Sequence, residues 1–154
     1  MKPAHTTVEI TRVFDISADA LFAHWVSPKT RLRWEAGPDT GMKYDAFDTR
    51  SGGREIVRIF EGGAEIGRMV QSVHVVEPGD HIATSIEATF DGVVTMLMQT
   101  TVQFERTKNG TRLNATCQIA DLKGRDQSER HKRGWEWIFD RFAADIADHG
   151  LVSA

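Results

Sequence analysis

The stretch that decides the fold lies near the end of the chain and reads His131-Lys132-Arg133-Gly134-Trp135-Glu136-Trp137-Ile138-Phe139-Asp140-Arg141-Phe142. Apolar residues recur there with the spacing of three and four that is typical of one helix face, at Trp135, Ile138, Phe139, Phe142 and Ile146. A helix that follows a run of strands is expected to lay this face on the sheet. Its aromatic side chains then either fill a core or line a cavity, and the pattern leaves both open.

The segments before this helix have the two-residue alternation of β-strands. They are predicted at Met42–Asp48, Arg54–Phe60, Glu65–Val76, His81–Phe90, Val93–Glu105 and Thr111–Ile119. Asp91-Gly92 and Asn109-Gly110 are typical hairpin turns, and Glu61-Gly62-Gly63 is a third short connection. Because such short connections join antiparallel neighbours, we expect an antiparallel meander.

The alternation also predicts which face of the sheet is covered. In the strand Val93–Glu105, the apolar face carries Val94, Met96, Met98, Val102 and Phe104 with Thr100 among them, and the polar face carries Thr95, Gln99, Thr101, Gln103 and Glu105. The next strand repeats the pattern, with Cys117 on its apolar face. One covered and one solvated face are expected when a helix packs on a sheet.

The N-terminal part supplies one more strand and two short helices. Val8–Phe14 is strand-like, Ser17 is a typical N-cap for a helix over Ala18–Trp25, and Pro28 suits the first position of a helix ending near Trp34. The last helix is predicted over residues 126–148. The order is therefore strand, two short helices, six strands and a long helix, which predicts a single α+β domain over residues 1–154.

Composition excludes several classes of protein. A net charge of −3 and a pI of about 6.1 provide no basic surface for nucleic acid. No stretch has the ~20 apolar residues of a membrane span, so no membrane insertion is expected. The single cysteine, Cys117, excludes an intrachain disulfide. We therefore expect a cytoplasmic protein.

Four stretches, in this order, resemble a known family. They are Phe14-Asp15-Ile16-Ser17-Ala18-Asp19-Ala20-Leu21-Phe22-Ala23-His24-Trp25, Asp48-Thr49-Arg50-Ser51-Gly52-Gly53-Arg54, Gly110-Thr111-Arg112-Leu113 and His131-Lys132-Arg133-Gly134-Trp135. Together they are similar to the Bet v 1-like (START/SRPBCC) superfamily, and within it to proteins related to the activator of Hsp90 ATPase. The resemblance implies a helix-grip fold, in which a seven-stranded antiparallel sheet curls around the C-terminal helix.

The resemblance also implies a cavity between sheet and helix that often binds apolar small molecules, without implying one reaction. Relatives include lipid carriers, polyketide cyclases and chaperone partners. The chain departs from them at Glu55, where an aromatic residue is common, and at Ile119-Ala120-Asp121-Leu122, which lacks the usual turn before the last helix.

Glu55 is the candidate for acid or base catalysis. It alternates with Val57 and Ile59, so it points into the apolar cavity if that face is the inner one. Burial would raise its pKa and suit it to proton transfer. The alternative is a position at the rim of the sheet, paired with an arginine.

No metal or cofactor is predicted. None of the six histidines has an i, i+4 partner, and no His, Cys and carboxylate run has metal-ligand spacing. Ser51-Gly52-Gly53 lies between strands and not before a helix, so it is not a phosphate-binding loop. Cys117 has no adjacent base and is expected to be a buried apolar residue.

The predicted ligand-binding residues are the aromatic, methionine and polar side chains expected on the inner surface. They are Trp25, Trp34, Phe47, Glu55, Val57, Met69, Met96, Met98, His131, Trp135, Ile138 and Phe139. Three functions remain open: binding of an apolar or aromatic small molecule, a cyclase- or hydrolase-like enzyme that uses Glu55, and an interaction module that binds a chaperone partner. Whether the chain forms a homodimer also remains open.

Overall fold

The computed structural model describes residues 2–152, and its elements follow the predicted order. They are β1 (Ala4–Phe14), α1 (Ala18–Val26), α2 (Pro28–Trp34), β2 (Met42–Phe47), β3 (Arg54–Glu61), β4 (Ala64–Glu77), β5 (His81–Phe90), β6 (Val93–Thr107), β7 (Gly110–Asp121) and α3 (Ser128–His149). Most boundaries lie within two residues of the prediction. The exception is β1, which begins four residues earlier, at Ala4.

All seven strands form one antiparallel sheet in the order β1-β7-β6-β5-β4-β3-β2. Strands β2 to β7 are a meander, and β1 pairs with β7 over its whole length, from Ala4 opposite Asp121 to Phe14 opposite Thr111. The predicted α+β helix-grip fold is confirmed. None of the helices within residues 2–152 is long and apolar enough to span a membrane.

Irregularities in four of the strand pairs bend the sheet. The register shifts in the pairs β2–β3, β3–β4, β4–β5 and β5–β6, and such bulges increase twist and bend the bulged strand. The shift between β5 and β6 corrects one prediction. Thr95 was expected on the solvated face, but only 8 % of it is exposed, because the shift lies at this point and interrupts the alternation.

The packed core lies where α3 covers β1 and β7. Phe139 and Phe142 of α3 are fully buried there with Leu21 of α1, Phe104 of β6 and Leu113 of β7. The main backbone contacts of α3 are with β1 and α2. The inner face of β3, β4 and β5 therefore extends beyond the helix, and this part of the sheet borders the cavity described below.

The start of α1 has a side-chain cap, and the start of α3 is held by a residue just before it. Ser17 accepts a hydrogen bond from the Ala20 N–H at 3.2 Å, as its position predicted. The last helix begins at Ser128 and not at residue 126. The Asp126 carboxylate accepts hydrogen bonds from the amide and the hydroxyl of Ser128, which fixes the chain just before the first turn.

Candidate functional site

A cavity of about 240 Å³ lies between the inner face of the sheet and the first half of α3. Its wall is mainly apolar and has a cluster of polar side chains supplied by α2, β2 and β3. The lining residues are Trp25, Arg31, Glu35, Met42, Tyr44, Thr49, Glu55, Val57, Met69, Gln71, Ile82, Thr84, Ile86, Met96, Met98, Thr100, Val102, Cys117, His131, Gly134, Trp135 and Ile138.

The apolar wall includes two tryptophans and four methionines. The rings of Trp25 and Trp135 lie parallel, with 6.4 Å between centroids and 6° between planes. The Trp135 indole N–H donates to the Cys117 sulfur at 2.9 Å, which fixes the ring on the sheet. All four methionines within residues 2–152 line the cavity. Methionine is flexible and polarizable, so such a wall adapts to the shape of a ligand.

Gly134 lies on the part of the cavity wall that α3 supplies. It is exposed to solvent and also lines the cavity. A methyl group at Gly134 would meet no neighbouring side chain or strand within 4 Å, and the backbone there is ordinary helix. Neither close packing nor an unusual backbone conformation therefore requires glycine at this position.

Arg31 of α2 organises the polar end of the cavity. Its Nε and Nη2 atoms donate to the backbone carbonyl of Trp25, at 3.2 and 2.9 Å. The guanidinium also lies within 5.5 Å of the ring centroids of Trp25, Trp34 and Phe47, positions that favour a cation. Burial alone would lower the pKa of Arg31, but the nearby phenol and carboxylates outweigh it and raise the pKa above its usual value, so the guanidinium stays charged.

Glu55 lies on the inner face of β3 and is 2 % exposed. Its Oε1 atom accepts a hydrogen bond from Arg31 Nη1 at 2.9 Å, and its Oε2 atom accepts one from the Thr49 hydroxyl at 2.8 Å. Both carboxylate oxygens are therefore engaged. Glu55 therefore has one feature of each position predicted from the sequence: it faces inward, and it is paired with an arginine.

Glu35 and Tyr44 complete the polar end. Tyr44 accepts a hydrogen bond from Arg31 Nη1 at 3.3 Å and donates its hydroxyl proton to Glu35 Oε1. Glu35 lies 3.7 Å from Arg31 Nη1, farther than Glu55 does. Burial raises the pKa of Glu35, and the nearby guanidinium and phenol offset only part of that effect. Burial, together with Glu35, raises the pKa of Tyr44 well above 10.0.

Two further ionisable groups line the apolar part. The His131 Nε2 atom lies 3.1 Å from the Met96 sulfur, and burial lowers the pKa of this histidine, so the ring is neutral near pH 7. Burial raises the pKa of the Cys117 thiol despite hydrogen bonds from Thr100 and Trp135. A thiol with a raised pKa is a poor nucleophile, in line with the expected apolar role.

The structure brings nine of the twelve predicted ligand-binding residues to the cavity wall and leaves out Trp34, Phe47 and Phe139. Trp34 and Phe139 are core residues, 1 % and 0 % exposed. Phe47 packs on Tyr44 and on the Arg31 guanidinium. Each of the three side chains packs against a residue that lines the cavity: Trp34 against Trp25, Phe139 against Trp135 and Phe47 against Tyr44.

Sequence reasoning missed the polar residues Arg31, Glu35 and Tyr44. Arg31 and Glu35 have the i, i+4 spacing of a helical ion pair, which is a weak signal because most such pairs are exposed. Tyr44 alternates with Met42 on β2, and both line the cavity. That periodicity was the available signal for the inner face of β2.

His24 does not take part in this site. It is fully buried, and its Nε2 atom lies 2.8 Å from Asp145 Oδ2. The Val152 amide donates to His24 Nδ1, so Nδ1 is the acceptor and Nε2 carries the proton shared with Asp145. The Arg33 guanidinium binds the same carboxylate through two hydrogen bonds. This cluster joins α1, α2, α3 and the C-terminal tail.

Within residues 2–152, no group of three or more His, Cys, Asp or Glu side chains is arranged to hold a metal ion. The charged side chains of the cavity bind one another, and their geometry is that of an ion-paired hydrogen-bond network. The arrangement suits recognition of an organic molecule with an apolar body and a polar group.

Comparisons with known proteins agree with this architecture. Residues 15–146 match the family described as Activator of Hsp90 ATPase homolog 1-like protein. No curated protein matches the chain. A Rhizobium loti crystal structure is 28% identical with a TM-score of 0.85, covering 94% of this chain and 99% of that one. An uncharacterized protein from Rhizobium leguminosarum is 22% identical with a TM-score of 0.86 over 96% and 98% of the two chains. The AHSA1-like protein from Aeromonas hydrophila is 20% identical with a TM-score of 0.71 over 97% of each chain.

Proposed function

This chain belongs to the Activator of Hsp90 ATPase homolog 1-like family, and on that premise we propose that it binds a small apolar or aromatic molecule in the cavity between the sheet and α3. The ligand lies between the Trp25 and Trp135 side of the wall and the methionines of β4 and β6. Its polar group reaches the cluster around Arg31. No covalent step is part of the proposal.

Gly134 is the observation that carries the proposal. A glycine inside a helix costs about 0.5–1 kcal/mol relative to alanine. Packing does not require the glycine, because a methyl group there would meet no neighbour within 4 Å. We infer that Gly134 lies at the opening of the cavity, because it is both exposed and part of the wall, and that a long side chain there would narrow the route to the wall. A stability cost at a position that serves access is typical of a functional site.

The size of the cavity limits the ligand. An engineered apolar cavity of about 150 Å³ binds benzene, and the cavity here measures about 240 Å³. It therefore accommodates one aromatic ring with a short substituent, or an aliphatic group of similar size. Typical drug-sized ligands occupy larger pockets, of about 300–1,000 Å³.

The contacts of Glu55 favour binding over catalysis. Both of its oxygens already accept hydrogen bonds, from Arg31 and Thr49, so acting as a base would disrupt a buried ion pair. The chaperone-partner alternative has less support, because the exposed large apolar side chains are distributed over β1, α2, β4, β6, α3 and the C-terminal tail. No single element presents them together as one patch.

Methyl NMR of the methionines tests the binding proposal directly. Phenethyl alcohol, a neutral one-ring compound, is titrated into protein labelled at its methionine methyl groups. We expect saturable shifts of Met69, Met96 and Met98, which line the cavity. Gly134→Leu places a bulky side chain at the opening and is expected to weaken binding by about tenfold or more, which corresponds to roughly 1.4 kcal/mol.

Glu136→Leu is the matched control for added apolar bulk. Glu136 is exposed on the same helix and lies about 200° around it from Gly134. This variant is expected to bind like the wild type. Equal affinity in the wild type and Gly134→Leu, or methyl shifts that do not saturate, would contradict binding through this opening.

A further inference from the structure

We propose that the cavity selects ligands whose polar group is a positively charged amine, held by the carboxylate of Glu35. This inference rests on the proposed binding function and adds the charge of the ligand. It follows from the imbalance of charge at the polar end and from the hydrogen bonds that remain available there.

Three formally charged side chains line the part of the wall that the structure describes. Arg31 carries one positive charge, and Glu35 and Glu55 carry two negative charges when ionised. His131 adds no positive charge near neutral pH, since burial lowers its pKa. With both carboxylates ionised, the polar end has one negative charge in excess. In an apolar cavity an uncompensated charge is costly, and a ligand cation would compensate it.

Arg31 is poorly placed to receive an anionic ligand. Four of the five N–H donors of a guanidinium are already used: two toward the Trp25 carbonyl, one toward Glu55 and one toward Tyr44. Its partner Glu55 has no oxygen without a donor. The two residues form a closed pair that neutralises itself, so the excess charge belongs to Glu35.

Glu35 has more bonding capacity left than Glu55, whose two oxygens both accept a hydrogen bond and whose side chain is only 3% exposed. The Glu35 Oε1 atom accepts the Tyr44 hydroxyl, and the Glu35 side chain keeps 18% of its surface accessible. A carboxylate has about four acceptor positions, so an ammonium group can bind there without breaking an existing hydrogen bond. The raised pKa of Glu35 agrees with this, because burial disfavours a carboxylate whose charge Arg31 compensates only in part. An ammonium partner would remove that penalty.

Three one-ring compounds of similar size but different charge test the inference. Phenethylamine is the cation, phenethyl alcohol is neutral and phenylacetate is the anion. Each is titrated at neutral pH, with the methionine methyl signals as the readout. We expect phenethylamine to bind about tenfold or more tightly than the alcohol, as for a charge-assisted hydrogen bond in a partly buried site, and phenylacetate to bind most weakly.

Two variants that each remove one negative charge test whether the preference for the amine depends on Glu35. Glu35→Gln is expected to bind the amine and the alcohol with similar affinity. Glu65→Gln removes one negative charge from an exposed position outside the cavity, and it is expected to keep the wild-type preference. A preference that survives in Glu35→Gln, or that is lost in Glu65→Gln, would overturn the assignment.

The wild-type comparison separates this inference from the proposed function. If the alcohol binds and the amine binds no better, the cavity is a ligand site and the selection for cations is wrong. If phenylacetate binds best, the cavity selects anions and the inference is likewise overturned. If no compound shifts the methionine signals, the binding function and the inference fail together.

Discussion

Removing Arg31 is expected to destabilise the protein more than any other change at the polar end of the cavity. The Arg31–Glu55 pair is nearly inaccessible, with side-chain exposures of 4% and 3% and a distance of 2.9 Å. Arg31→Met keeps the aliphatic volume and deletes the charge. It leaves the carboxylates of Glu55 and Glu35 without a cation and deprives the Trp25 carbonyl of both side-chain donors.

The structure also sets the order of the effects. Breaking a buried ion pair by removing one partner costs about 3–5 kcal/mol, and we expect Arg31→Met to lie in this range. Glu55→Gln is expected to cost less, about 1–3 kcal/mol, because the guanidinium keeps Glu35 within 3.7 Å as a second partner. The double variant should lose less than the sum of the two, since the second change removes a charge that the first left unpaired.

Urea denaturation of the wild type, the two single variants and the double variant measures these free energies of unfolding. Arg50→Met is the control, because Arg50 and Asp48 are also 2.9 Å apart but are 78% and 47% exposed. Its expected cost is below about 1 kcal/mol. A loss of about 3–5 kcal/mol in Arg31→Met corresponds to a fall in Tm of roughly 6–20 °C. A loss in Arg31→Met as small as in Arg50→Met, or strict additivity in the double variant, would refute the reasoning.

Two further outcomes follow from other ionisable groups. Asp145→Asn is expected to destabilise the protein at neutral pH, because hydrogen bonds from Arg33 and His24 outweigh burial and lower the pKa of this carboxylate. The stability from a lowered pKa is complete above the unfolded value near 3.8 and is lost as the pH falls through the folded pKa. Thermal unfolding from pH 7 to pH 3 should therefore show the Tm values of the wild type and Asp145→Asn converging only in acid. A difference in Tm that stays constant over this range would contradict this origin. Cys117 is expected to react slowly with a thiol reagent at neutral pH, because it is buried and its pKa is raised. Trp135→Ala uncovers the Cys117 sulfur and should increase the rate of this reaction. An unchanged rate would mean that Trp135 does not shield the sulfur.

Periodicity in the sequence was sufficient for the element order and for most of the inner face. The placement of Met96, Met98, Val102 and Cys117 on one covered surface needed only the alternation of strand residues, since a pleated strand points successive side chains to opposite faces. The same rule failed at Thr95, because a bulge changes the count by one residue and nothing in the local composition marks it.

The sequence did not decide which aromatic residues lie in the core and which line the cavity. Trp135 and Phe139 lie on the same predicted stripe of α3, yet Phe139 is fully buried and Trp135 lines the cavity. The difference depends on how far the helix extends over the curled sheet. That distance is set by the packing of α3 on β1 and α2, which involves residues more than a hundred positions apart.

The chain by itself determined an antiparallel sheet and a covered inner face, because these follow from local propensity and from a period of two or 3.6 residues. It left the Glu55 carboxylate with two possible positions, inside the cavity or at the rim of the sheet. Only the tertiary structure decided what that carboxylate meets. Arg31 reaches Glu55 across 24 positions of sequence, and this pairing leaves Glu35 with more capacity for a ligand than Glu55. Charge compensation in an apolar cavity depends on distances through space, and no periodicity along the chain records them.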